Sequence, residues 1–142
     1  MQLYSANEEK GIEVLLVDDR PTVRRGLRMW LEVEPEVSVV GEAADGEEAV
    51  SLAEKLHPDV VLMDVKMPGV DGIEATGKLQ AVDPCIAVVI LSLYDDIDTR
   101  ARARNAGAAA FVAKHRMEET LLAEIRRVAM AHEKQRRHER PV

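Results

Sequence analysis

Four positions in this sequence carry polar groups directly after short apolar runs, and together these groups can do chemistry. They are Asp18 with Asp19 after IEVLLV, Asp64 after DVVLM, Ser92 after IAVVIL, and Lys114 after AAAFVA. Carboxylates with no companion His or Cys are the ligands of a hard divalent cation such as Mg²⁺. Acids crowded together are costly unless a cation or protons neutralise them. We therefore expect a Mg²⁺ site where these acids meet.

The same groups are suited to phosphoryl transfer onto an aspartate. With Mg²⁺ bound, one carboxylate can act as the nucleophile, because the metal offsets the charge that develops during transfer. The ammonium of Lys114 would pair with phosphoryl oxygens, and the hydroxyl of Ser92 would donate a hydrogen bond to another. Each residue alone also has a structural explanation, since acids favour helix N-termini and turns. Their joint placement at four strand ends favours a site.

The apolar runs themselves are typical of strands that are buried on both faces of a parallel sheet. They begin near Ile12, Val37, Val60, Ile86 and Ala109. This spacing leaves room for one helix between successive strands, so we predict five βα units in a single, doubly wound α/β domain. The carboxyl ends of parallel strands share one edge, and ligands of open α/β sheets bind there. The four polar positions should therefore converge.

Local signals agree with this alternation of strands and helices. Pro21 fits the first turn of a helix, and Asp45 or Asp71 can cap the helix that follows it. Turns are expected at four glycines, Gly41, Gly69, Gly72 and Gly107. We predict an N-terminal arm over residues 1–11, the domain over 12–131, and a basic C-terminal helix extension or linker over 132–142.

Composition limits the classes of protein to which the chain can belong. Hydrophobic residues make up 46% and charged residues 32% of the 142 residues, as in soluble globular proteins. The formal net charge of −7 argues against a surface built for nucleic acid. Cys85 is the single cysteine, which excludes an internal disulfide and fits a reducing compartment. No segment approaches the ~20 apolar residues that span a bilayer, so we expect a cytoplasmic protein without a membrane partner.

Four segments, LLVDDRPTVRRGL, VVLMDVKMPGVDGIEA, VVILSLYDD and NAGAAAFVAK, resemble the successive signature segments of a receiver domain of bacterial two-component response regulators. The resemblance covers residues 12 to 130. LSLYDD and AGAAAFVAK are most similar to the NarL/LuxR-type transcriptional regulators. The resemblance implies a CheY-like, flavodoxin-like sheet with strand order 2-1-3-4-5.

The resemblance also implies how the site works. Asp64 would be the phosphoacceptor, taking its phosphoryl group from a phosphohistidine of a sensor histidine kinase. Asp19 and Asp64 would bind Mg²⁺ directly and Asp18 through water, and the backbone carbonyl of Lys66 would complete the protein ligands. Lys114 would pair with the phosphoryl group.

Three further roles follow from the same resemblance. Ser92 matches the switch hydroxyl, and Phe111 matches the switch aromatic that turns inward when the hydroxyl moves toward the phosphoryl group. Lys66 and Tyr94 match positions that flank the path of the attacking water. This pair would tune the lifetime of the phosphoaspartate.

The leading hypothesis is therefore a phosphorylation-operated switch and not an enzyme, with at most self-phosphorylation and self-dephosphorylation. It would control a transcriptional output domain outside this chain, and DNA would be contacted only through that domain. A homodimer is a further candidate partner. The alternatives are a stand-alone regulator that acts by protein–protein binding, a Mg²⁺-dependent phosphohydrolase with Asp64 as covalent intermediate, and a degenerate receiver that no longer accepts phosphate.

Overall fold

The computed structural model of the protein describes the backbone of residues 11–139 and the side chains of residues 11–132. Its strands form a single five-stranded parallel sheet of order β2-β1-β3-β4-β5, which confirms the predicted topology. The strands are β1 (Ile12–Val17), β2 (Val37–Ala43), β3 (Val60–Met63), β4 (Ala87–Ser92) and β5 (Ala110–Ala113). The helices are α1 (Pro21–Glu32), α2 (Gly46–Leu56), α3 (Gly72–Val82), α4 (Ile97–Ala106) and α5 (Met117–Glu139), with a 3-10 turn at Lys114–Arg116.

The sheet is buried on both faces because β3 and β4 are apolar at every position except Ser92 at the end of β4. Residues of β3 and β4 alternate between two core layers, as the period of two along a strand requires. One layer lies under α2, α3 and α4, and includes Val61, Met63 and Ile90. The other lies under α1 and α5, and includes Leu62 and Val89. Both faces are thus covered, and the open edge at the carboxyl ends of the strands is left for a site.

The predicted helix starts are confirmed. Pro21 begins α1, and the side chains of Asp45 and Asp71 accept hydrogen bonds of 2.8 Å from the backbone amides of Glu48 and Glu74. Such caps satisfy amides that have no partner within the helix. Because α2 and α3 follow the carboxyl ends of β2 and β3, both helices begin beside that edge of the sheet.

Two of the four glycines predicted as turns lie elsewhere. Gly41 is inside β2, next to an irregular register between β1 and β2, and a Cβ there would come within 2.8 Å of the Leu56 side chain. Gly72 is the first residue of α3. Gly72 needs a glycine because the backbone of Asp64 packs against it, whereas the atoms nearest to Gly41 are the ends of the flexible Leu56 and Leu15 side chains. A local turn signal does not distinguish such packing from a turn.

The last helix extends beyond the end of its apolar pattern. Helix α5 continues to Glu139, so residues 132–139 of the predicted C-terminal extension are helical. Residues 1–10 of the predicted N-terminal arm and residues 140–142 lie outside the described residues. Within residues 11–139, no helix combines the length and apolar character needed to cross a membrane.

Candidate functional site

The ends of β1 and β3 bring two of the predicted acids side by side. The backbone amide of Asp64 donates to the carbonyl of Val17 at 3.0 Å, and the amide of Asp18 donates to the carbonyl of Ala43 at 3.1 Å. These bonds extend the sheet ladder by one residue beyond each strand. The side chains that follow the ladder are therefore held at the same edge, as parallel pairing requires.

Asp18, Asp19 and Asp64 form one cluster of carboxylates. One carboxylate oxygen from each residue lies within 4.8 Å of one carboxylate oxygen from each of the other two. Asp18 is 2% exposed and Asp64 is 8% exposed, whereas Asp19 is the most accessible of the three. The cluster thus has two buried acids at its base and one at its open side.

Lys114 contributes a positive charge to the cluster, as does Arg20, whose Nε lies 3.6 Å from Oδ1 of Asp18. Lys114 follows the last residue of β5, and its Nζ lies 3.2 Å from Oδ2 of Asp18 and 3.3 Å from Oδ1 of Asp64. The other oxygen of Asp18, Oδ1, accepts a hydrogen bond of 2.9 Å from the backbone amide of Arg20, which precedes α1. Asp18 therefore serves the start of the helix as well as the cluster.

The surroundings of Asp64 disfavour its negative charge. Burial raises the pKa of its carboxyl above the ordinary value, and the neighbouring Asp18 raises it further. The ammonium of Lys114 acts in the opposite direction, but the pKa of Asp64 remains raised. An additional cation beside Asp64 would remove this penalty, because it favours the ionised form.

The donor set matches the requirements of a hard divalent cation. It consists of carboxylate oxygens only, with no imidazole or thiol in the group. Ions such as Mg²⁺ prefer a few carboxylates and leave further positions to water or phosphoryl oxygens. The accessible position of Asp19 leaves room on the solvent side for such ligands.

Ser92 and Phe111 lie on the neighbouring strands β4 and β5, Ser92 at the carboxyl edge and Phe111 inside β5, opposite Ile90. Ser92 is the last residue of β4 and is 1% exposed, and its Oγ accepts a hydrogen bond of 2.9 Å from the amide of Tyr94. Phe111 in β5 is half-buried and packs partly against the core. The guanidinium of Arg100 in α4 lies over its ring, 4.6 Å from the ring centroid. The ring therefore joins β5 to α4.

Lys66 and Tyr94 contact each other between the loops that follow β3 and β4. The Nζ of Lys66 lies 4.6 Å from the centroid of the Tyr94 ring. Lys66 follows Asp64 by two residues, and Tyr94 follows Ser92 by two. This cation–π contact joins the β3–α3 loop to the β4–α4 loop.

Two residues that support the cluster were not singled out from the sequence as part of the site. Gly72 lies against the backbone carbonyl of Asp64, where any Cβ would overlap that carbonyl. Arg24 in α1 donates a hydrogen bond of 2.6 Å from Nη1 to the backbone carbonyl of Asp18. Gly72 carried a glycine signal that indicated a turn, whereas the arginine-rich face of α1 carried no signal that distinguishes Arg24 from its neighbours.

The sequence was compared with protein families and with curated proteins. The family model described as the response regulator receiver domain matches residues 14–126. The transcriptional regulatory protein DegU of Brevibacillus brevis is 39% identical over 87% of this chain and 52% of its own length. The response regulator GacA of Pseudomonas aeruginosa is 45% identical over 82% of this chain and 55% of its own length.

The comparison with solved structures extends the agreement to the fold. The two-component response regulator of the LuxR family from Aurantimonas sp. SI85-9A1 superposes with a TM-score of 0.82 at 35% identity, covering 85% of this chain and 86% of that one. By contrast, the chain spans only about half the length of the two curated relatives. Over the part that is matched, both the sequence and the overall fold are similar. The chain belongs to the response regulator receiver domain family.

Proposed function

We propose that this domain accepts a phosphoryl group on Asp64 from a phosphohistidine of a sensor histidine kinase, in a reaction that needs Mg²⁺. The observation that carries the proposal is the joint position of the groups: three carboxylates with oxygens within 4.8 Å of one another, and an ammonium 3.3 Å from Asp64. No single residue of this set indicates phosphoryl transfer. Their combination supplies a nucleophile, a metal site and a charge for the incoming phosphoryl group.

In the proposed reaction, an oxygen of Asp64 attacks the phosphorus of the phosphohistidine. The new O–P bond forms while the N–P bond breaks, and the electron pair stays on the imidazole nitrogen, which takes up a proton from solvent. The product is an acyl phosphate on Asp64. Lys114 exchanges its contact with the Asp64 carboxylate for a contact with a phosphoryl oxygen, which keeps the added charge paired.

Mg²⁺ would be held by Asp19 and Asp64 directly, by Asp18 through water, and by the backbone carbonyl of Lys66. When bound, the ion would offset the charge of the acids and of the transferring phosphoryl group. Ser92 accepts a hydrogen bond through Oγ and keeps its hydroxyl proton for donation, so it can donate to a phosphoryl oxygen.

In the proposed switch, movement of the Ser92 hydroxyl would be coupled to movement of the Phe111 ring. If the hydroxyl moves toward the phosphoryl group, the space it leaves at the end of β4 can be taken by the ring of Phe111. A cavity of ≈ 180 Å³ between α4 and the start of β5 is lined by Phe111, Arg100 and Ala103 among others, so the ring is not closely packed on that side. The surface formed by α4, β5 and α5 would then change its affinity for a partner.

We further propose that this surface controls a transcriptional output, from a cytoplasmic protein in which DNA is contacted only through a separate output domain. The relatives that support this are named as transcriptional or response regulators and are about twice as long as the matched region. Self-association of the phosphorylated domain is one way to transmit the signal. In this role the domain is a switch and not an enzyme.

The proposal is tested by incubating the chain with a radiolabelled acyl phosphate. We expect a single hydroxylamine-labile phosphoryl group per chain in the presence of Mg²⁺ and none in EDTA. Borohydride removes the phosphoryl group and reduces the carboxyl to an alcohol, so mass spectrometry should then find homoserine at position 64. Sustained hydrolysis of an added phosphate monoester would favour the phosphohydrolase alternative. Absence of Mg²⁺-dependent label would indicate a degenerate receiver.

The contact between Lys66 and Tyr94 leads to a prediction about phosphate lifetime. We propose that water parts this contact to reach the phosphoaspartate, so we expect Tyr94→Ala and Lys66→Met to speed its hydrolysis by about two- to fivefold, the effect of losing a contact of about 0.5–1 kcal/mol. The loss of label is followed after removal of the phosphodonor. Tyr94→Phe is the matched control, since it keeps the ring and should keep the lifetime. Equal effects of Tyr94→Phe and Tyr94→Ala would contradict the assignment.

A further inference from the structure

Arg24 contacts both the edge strand β2 and the backbone of the acidic cluster. Strand β1 ends at Val17, so the carbonyl of Asp18 lies one residue beyond the strand. The Nη1 of Arg24 donates to this carbonyl at 2.6 Å. That carbonyl belongs to the peptide group that joins Asp18 to Asp19. Its direction therefore sets how the two acids project toward the cluster.

The other side of the same guanidinium is anchored by Glu42 in β2. The Nε of Arg24 donates to Oε1 of Glu42 at 2.9 Å, and the side chains of Arg24 and Glu42 are only 16% and 28% exposed. Oε2 of Glu42 accepts a second hydrogen bond of 2.7 Å, from Nε of Arg28. The hydrogen bond from Arg28, and that from Arg24, lower the pKa of Glu42, so its carboxylate is ionised at neutral pH.

From this geometry we infer that Arg24, anchored by Glu42, is a positioning residue that holds the Asp18–Asp19 peptide in the orientation needed for Mg²⁺ binding. This inference rests on the proposed function, since it concerns the metal that the phosphoryl transfer requires. The planar guanidinium makes the role specific, because it donates to Glu42 and to the Asp18 carbonyl along two fixed directions. A lysine carries the same charge but lacks the fixed planar arrangement of donors.

Arg28 provides a matched control within the same helix. It lies one turn after Arg24, and its Nε donates to the same carboxylate of Glu42, while its Nη1 donates to Glu32 at 3.2 Å. Within residues 11–132, Arg28 makes no hydrogen bond to the carbonyl of Asp18. Replacing Arg28 therefore removes a comparable ion pair and leaves the carbonyl of Asp18 held.

The test measures Mg²⁺ binding to the full chain by calorimetry for the wild type, Arg24→Met, Arg24→Lys and Arg28→Met. We expect both Arg24 variants to bind Mg²⁺ about tenfold more weakly, as loss of groups that orient metal ligands typically causes. The affinity of Arg28→Met should stay within about twofold of the wild type. Urea unfolding in EDTA should show similar stability losses for Arg24→Met and Arg28→Met, so stability alone does not account for the difference.

Labelling by an acyl phosphate gives a second measurement of the same role. In Arg24→Lys, the Mg²⁺ concentration for half-maximal labelling should rise about tenfold, while the rate at saturating Mg²⁺ stays near that of the wild type. Equal Mg²⁺ affinities for Arg24→Met and Arg28→Met would overturn the inference, as would wild-type affinity in Arg24→Lys. A wild type that binds no Mg²⁺ would instead refute the proposed function on which the inference rests.

Discussion

Asp64→Asn is expected to lose Mg²⁺-dependent labelling by an acyl phosphate to background, a fall of more than about two orders of magnitude. An amide at this position is a poor nucleophile, and the remaining acids of the cluster are placed for the metal and for Lys114. The measurement is the amount of label per chain after a fixed incubation. Asp71→Asn is the matched control, because Asp71 caps α3 from the same loop and asparagine caps equally well. Full labelling of Asp64→Asn would exclude Asp64 as the phosphoacceptor.

The same substitution is expected to stabilise the metal-free protein. Burial and the neighbouring Asp18 raise the pKa of Asp64 in the folded state, so folding disfavours its charged form. This cost is fully present above the folded-state pKa and disappears as the pH falls toward the pKa of the unfolded chain. In EDTA at neutral pH, we expect Asp64→Asn to raise Tm by a few degrees, as about 1 kcal/mol does in a domain of this size.

The pH dependence separates this explanation from a general effect of the substitution. The Tm difference between Asp64→Asn and the wild type should shrink as the pH is lowered through the folded-state pKa of Asp64, because the wild-type carboxyl then becomes neutral. Mg²⁺ should reduce the difference at neutral pH, since it stabilises the wild type by binding the folded state. If Asp64→Asn had a lower Tm than the wild type in EDTA, the ionised carboxylate of Asp64 would not destabilise the folded state as we expect.

Asp19→Asn is expected to weaken Mg²⁺ binding by about 30-fold, which corresponds to roughly 2 kcal/mol, the size of a charged contact. Asp19 is the accessible member of the cluster, so its loss removes a ligand and leaves the buried contacts between Asp18 and Lys114 in place. Calorimetry in a buffer without other divalent ions measures the affinity directly. Labelling should be recovered partly at high Mg²⁺ concentration.

The control for Asp19→Asn removes a carboxylate from the same edge of the sheet. Asp45 caps α2 through its side chain, and it is not one of the clustered acids. Asp45→Asn should therefore bind Mg²⁺ with wild-type affinity. If both variants lost affinity equally, the long-range negative charge of this edge, and not a ligand at position 19, would account for the binding.

Much of the fold was predictable because its signals are local. Uninterrupted runs of Val, Ile and Leu indicated strands covered on both faces, and Pro21, Asp45 and Asp71 marked helix starts. Parallel strands then require that residues after each strand meet at one edge. The approach of Asp18, Asp64 and Lys114 follows from that rule, although nothing local relates residue 18 to residue 114.

Other features depend on contacts between distant segments and left no local signal. Gly72 must be small because the carbonyl of Asp64 packs against it, and Gly41 lies inside β2 beside the Leu56 side chain. A turn needs glycine for its backbone angles, so the residue type alone could not separate these causes. The contact of the Arg100 guanidinium with the Phe111 ring likewise left no local signal in the sequence.

The residue types and their order along the chain thus established the strand and helix alternation, the edge that carries the chemistry, and the groups gathered there. The distances and contacts between these groups depend on tertiary packing. Distances such as 3.3 Å from Lys114 to Asp64, the raised pKa of a buried carboxyl, and the hold of Arg24 on the Asp18 carbonyl all depend on how helices settle on the sheet. Hydrophobic periodicity sets which face a helix buries, but side-chain contacts over short distances are set by the full three-dimensional arrangement of the chain.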